Sequence, residues 1–160
     1  QIGDGSGFGT GADEEKDAAF LQLFNADFIG GLDPNQGPVP GGEYPGLQLE
    51  DNVGLTMAYT NGEAADFPQL ISTVTVPRRG HYIGISGDPT NFAFDAAGGI
   101  LEVNDAARLD QKLDDGQPNT GDVLAYSGPG AACESATDET GVYRTSDDTA
   151  QCGLYISTSF

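Results

Sequence analysis

Residues 104–133 read NDAARLDQKLDDGQPNTGDVLAYSGPGAAC, and they decide the fold because helix, turn and strand signals follow one another there and end at a cysteine. A helix is expected from about Asp105 to Asp115. Asn104 stands where a capping side chain is favoured, Leu109 and Leu113 share one inward face, and Gly116 supplies the stop. Lys112 in the last turn answers the negative end of the helix dipole, while Asp114 and Asp115 are expected to bond backbone amides of the turn reaching Thr120 and Gly121. On this reading Lys112, Asp114, Asp115, Gly116 and Thr120 form a structural turn and not a charged active site. Val123 to Tyr126 is the next strand, and Cys133 follows it, with Cys152 as the other cysteine. An even count in an acidic chain suits a disulfide and an oxidising compartment; free buried thiols are the alternative.

Working toward the N-terminus, three strands are expected, at Gly54 to Tyr59, Gln69 to Val76 and His81 to Ser86. Pro77 ends the second, so Pro77-Arg78-Arg79-Gly80 reads as a hairpin turn between it and the third. The segment from Leu32 to Asn52 is rich in proline and glycine, which removes amide donors and interrupts regular structure, so it reads as a long ordered loop. A first helix is expected over residues 13–29, with Asp13, Glu14 and Glu15 at its positive end. Phe20, Leu23, Phe24 and Phe28 form its apolar face, Leu21 widens that face, and Gly30-Gly31 stops the helix. Leu154 to Ile156 completes the strands. A chain of 160 residues carries one domain with a core of its own.

Twenty-five acidic against six basic residues leave a formal charge of −19. Such a chain repels nucleic acid and anionic membrane surfaces, so nucleic-acid partners are excluded and cationic partners or divalent ions are favoured. No apolar run approaches the ~20 residues that a membrane span needs.

Signals for catalysis are thin. His81 is the only histidine, flanked by Gly80 and Tyr82 at a strand start, and Gly84-Ile85-Ser86-Gly87 falls one residue short of a nucleophile elbow. Paired carboxylates such as Asp114-Asp115 and Asp147-Asp148 occur by chance in so acidic a chain, and we expect no enzyme; a small extracellular hydrolase using paired acids is the weakest alternative. A metal reading is open at the glycine-rich start. Counted as a calcium loop from Asp4, it places Ser6 third, Gly9 sixth, Thr10 seventh and Glu15 twelfth, although Phe8 and Ala12 occupy two positions that calcium would use. Asp4, Ser6, Thr10 and Glu15 are thus one candidate calcium set, against a plain connector, and a secreted calcium-dependent adhesion module is the first alternative function.

The run Leu109-Asp110-Gln111-Lys112-Leu113-Asp114-Asp115-Gly116-Gln117-Pro118-Asn119-Thr120-Gly121-Asp122-Val123-Leu124-Ala125, followed by Cys133 and Cys152, resembles a segment of type IV pilin-like proteins close to (I/L)DxK(I/L)DDGxPxTGxVxA with two cysteines after it. Gly3-Asp4-Gly5-Ser6-Gly7 also resembles the GDGDG run of related chains, with serine replacing the second acid. The resemblance implies an α+β pilin-like head, with an antiparallel sheet packed against helices and a disulfide-closed C-terminal loop. The long apolar filament helix of the family is missing from this chain and would lie upstream of Gln1. It further implies a structural subunit of a type IV pilus or a type II secretion pseudopilus, extracellular or periplasmic, on a Gram-negative bacterium. Other filament subunits would be its partners, with membrane contact only through the missing helix. Major pseudopilins carry a calcium ion near this C-terminal loop, so Asp138, Glu139, Asp147 and Asp148 are the alternative metal set, against solvated loop acids.

Overall fold

A computed structural model describes residues 14–37, 39–47, 53–60, 62, 78–86, 101–127, 132–136 and 138–158. The elements in chain order are helix α1 (Glu14–Asn25), a 3-10 turn (Pro34–Gln36), strands β1 (Gly54–Thr60), β2 (Gly80–Ser86) and β3 (Leu101–Glu102), helix α2 (Val103–Leu113), and strands β4 (Val123–Ser127) and β5 (Gln151–Ser157). All strand pairs are antiparallel. β5 is central: β4 lies along one edge over Cys152 to Ile156, and the other edge is shared end to end by β2, opposite Leu154 to Ser157, and β3, opposite Gln151 and Cys152. β1 flanks β2 on its far side.

The register puts Leu55, Ile85 and Leu154 side by side on one face of the sheet. On that face Val103 and Ala106 of α2 bury themselves against Ile85, Leu101, Val123, Ala125, Cys152 and Leu154. Farther along the same face, Phe20 of α1, with Leu23 and Phe24, packs with Leu32, Tyr44, Leu55 and Met57. Both helices therefore cover one side of an antiparallel sheet, the expected α+β arrangement. The opposite side is also buried, and is lined by Tyr82, Leu124, Tyr126 and Tyr155 with Thr56, Thr60 and Ser157. Here a glycine is required: a Cβ on Gly153 would overlap the Tyr126 ring, which crosses β5 at that point so that its hydroxyl donates to the Ile85 carbonyl at 2.9 Å. One side chain thus ties β4 to β2 over the central strand.

Several boundaries differ from expectation. α1 ends at Asn25 and not at residue 29, because Asp27 takes the left-handed conformation (φ 59°) and the Phe28 amide folds back to the Leu23 carbonyl. Phe28 leaves the apolar face as a result and is 78% exposed. α2 begins at Val103, directly out of β3. Its N-cap is Glu102, which makes no side-chain cap, and Asn104 lies inside the helix with its amide directed to the Thr145 carbonyl at 3.4 Å. Leu109 packs on the core as expected, but Leu113, at the last helical position, projects past the packed stretch and is 55% exposed. β2 is flanked by β1 on one edge and β5 on the other, and the expected strand Gln69 to Val76, with Pro77 of the expected hairpin turn, lies outside the described residues. The described part of the loop after α1 is tied to the start of β1 by a bridge from Gly46 to Gly54 and by bonds from Leu47 N to Val53 O and from Leu55 N to Pro45 O.

Candidate functional site

The last turn of α2 runs into a knot of carboxylates. Asp110 faces inward one turn after Ala106 and is fully buried; its Oδ2 accepts from the Tyr143 hydroxyl at 2.8 Å and its Oδ1 from the Gly116 amide at 3.1 Å. Asp115 accepts from the Gln117 amide at 2.8 Å and the Thr120 hydroxyl at 2.6 Å. Asp114 Oδ2 receives the Asp122 amide and, at 3.2 Å, the Val123 amide. The chain turns at Gly116 (φ 75°) and Gly121 (φ 79°), conformations that L side chains resist, and a Cβ on Gly121 would overlap the Asp114 carboxylate. Lys112 is exposed in the last turn. Asp114, Asp115, Gly116 and Thr120 thus meet in one hydrogen-bonded turn that leads into β4.

The same turn holds the C-terminal loop. Asn119, almost fully buried, donates to the carbonyls of Ala136 and Asp138 at 3.0 and 2.9 Å. Cys133 and Cys152 form a disulfide with Cα atoms 5.3 Å apart. Beyond Cys133 a short antiparallel bridge pairs Glu134 with Tyr143, flanked by Ser135 N to Val142 O and Arg144 N to Cys133 O, each 2.9 Å. The Thr140 hydroxyl and amide hold Asp138 below the ordinary carboxylate range, and those of Thr149 do the same for Asp147, which also meets Arg144 at 2.9 Å.

Two carboxyls behave in the opposite way. Burial pushes Asp110 up to about 6 against the donors Tyr143 and Gly116, and pushes Glu134, only 3% exposed, up to about 7 against the Ser127 hydroxyl at 3.5 Å. Burial also raises the Tyr143 phenol, reinforced by the charge of Asp110. Sequence reasoning singled out neither Glu134, Tyr143 nor Asn119. For Asp110 a signal existed, since it continues the Val103–Ala106 stripe of the helix.

Asp4, Ser6 and Thr10 lie outside the described residues, and Glu15 sits in the first turn of α1. Among the described residues, the group of three carboxylates whose oxygens lie within 4.8 Å of one another is Asp110, Asp114 and Asp115, not Asp138, Glu139, Asp147 and Asp148. That trio is fitted to the chain's own donors: each carboxyl accepts two hydrogen bonds, where calcium would want six to eight oxygens turned to itself. Beside it, between α2 and the loop, runs an open groove of about 440 Å³ lined by Arg108, Gln111, Gln117, Tyr143 and Thr145. His81 stands on β2 with its ring 5.1 Å from that of Tyr59, and the Tyr59 hydroxyl accepts from Arg79. No helix among the described residues is long and apolar enough to cross a membrane. No protein-family model, curated protein or solved structure matches this chain.

Proposed function

We propose that this chain is the head of a filament subunit, of the type IV pilus or type II secretion pseudopilus kind, working outside the cytoplasm as a structural and not a catalytic part. The observation that carries the reading is the role of Leu109–Ala125. This segment, which resembles the pilin-like pattern, acts throughout as scaffold: its helix packs on the sheet, its carboxylates close the turn, its strand pairs with β5, and Asn119 fastens the disulfide loop. The disulfide supports an oxidising compartment. A structural role is further supported by the paired acids. Asp114 and Asp115 are spent on backbone and hydroxyl donors, and Asp110, with the raised pKa a general acid needs, is closed off from substrate by Tyr143 and Gly116.

On this reading the head sets the filament surface and its lateral contacts, and an apolar helix upstream of Gln1 drives assembly. The test is to express the complete gene in a host with a type II secretion or pilus assembly system and to shear the cell surface. Recovery of the protein in the sheared filament fraction is the expected result, whereas a soluble monomer absent from that fraction contradicts the proposal.

A further inference from the structure

Two carboxyls meet the C-terminal loop without a cation. Asp110 projects from α2 into the core and is held to the loop by the Tyr143 hydroxyl, and Glu134 is the loop residue paired with Tyr143 across the bridge. Neither is within ion-pair reach of a lysine, arginine or histidine among the described residues. Arg144, whose charge does act on Glu134, is engaged with Asp147, and the charges facing Asp110 are those of Asp114 and Asp115, which oppose its ionisation. Glu134 Oε1 is buried with no hydrogen-bond partner, and the carboxyl is otherwise met by the Ser127 hydroxyl from β4 at 3.5 Å and by its own backbone amide. A buried, half-satisfied carboxylate of this kind is tolerated as the neutral acid and is costly as the anion.

We propose that the contact between α2 and the disulfide loop is a protonation latch, closed while Asp110 and Glu134 carry their protons and loosened when they lose them. The disulfide limits the excursion, so the segment between Cys133 and Cys152 opens as a tethered flap and the chain does not unfold. Opening uncovers the groove wall formed by Tyr143 and Thr145. The direction follows from proton counting. Between the ordinary carboxylate range and the raised native values, the closed form holds more protons than the open one, so closure is favoured in acid and lost as pH rises through about 6 for Asp110 and about 7 for Glu134. Asp138 and Asp147, in the same loop, have lowered values and act with the opposite sign, but only below the ordinary aspartate range, so the two effects fall in separate windows.

Hydrogen exchange of the 160-residue chain tests this, read at the amides of Ser135, Gly141 and Arg144, whose bonds stitch the loop. After correction for intrinsic exchange, loop opening is expected to rise at least tenfold from about pH 4.5 to about pH 7.5 and then to level off. Glu134→Gln and Asp110→Asn, which mimic the protonated acids, should each flatten part of that rise. Carbon-13 titration of the two carboxyls in the unsubstituted chain gives an answer that needs no variant to fold. Opening that stays constant over this range, a rise retained in full by both variants, or carboxyls titrating below about pH 5 would each overturn the latch.

Discussion

Asp114 and Gly121 work as one device. A single carboxylate oxygen receives the amides of Asp122 and Val123, and it reaches them only because residue 121 has no side chain. Asp114→Ala leaves two part-buried donors without their acceptor and is expected to cost about 1–3 kcal/mol. Gly121→Ala meets both a left-handed backbone and the carboxylate, and is expected to destabilise by a similar amount. Because the methyl of Gly121→Ala collides with the very group that Asp114→Ala removes, the double variant should lose clearly less than the sum. Urea unfolding of the four proteins measures the coupling, and strict additivity would contradict the clamp. At this scale the glycines were legible, since each follows acids and turn-forming residues whose chemistry needs a positive φ. Asp110 was less so: the helix starts at Val103, two residues before the expected Asp105, and only with that first turn does the stripe through Val103 and Ala106 show Asp110 turned inward.

Among elements, the disulfide loop depends most on a covalent tie. Between Cys133 and Cys152 it contributes Tyr143 and Ala150 to the main core, and turn residues make up much of the rest. Replacing both cysteines with serine should cost about 3 kcal/mol, the loop-entropy value for a closure of this length, with amides of the loop losing protection before those of β2. An unchanged unfolding midpoint would show that the loop holds without its bond. The elements themselves were readable where pattern and punctuation agreed: α2, β1, β4 and the core of β5 stand near their expected places. β3 was not, because two residues leave no period to read, and its pairing with Gln151 and Cys152 is purely a tertiary fact. The end of α1 was misplaced for a local reason, the left-handed Asp27, which stops the helix before Gly30 can.

For the whole molecule the dominant fact is charge. With −19 formal charges and ion pairs that are largely exposed, such as Arg78–Asp122 at 2.8 Å and Arg108–Asp105 at 3.6 Å, self-repulsion outweighs pairwise attraction. Sodium chloride should therefore raise the melting temperature between about 20 and about 500 mM, by screening repulsion over distances longer than those of the few pairs. A fall over that range would mean that the pairs carry more stability than the net charge removes. The same screening would let acidic heads sit side by side in an assembly.

That assembly is the central claim, and it turns on what precedes Gln1. The decisive measurement is the mass of the mature protein from cells with and without their prepilin-type peptidase. The account predicts a lighter protein in the presence of the enzyme, cleaved just ahead of an apolar helix that precedes Gln1, and a heavier, unassembled precursor in its absence. An identical mass in both strains would contradict it.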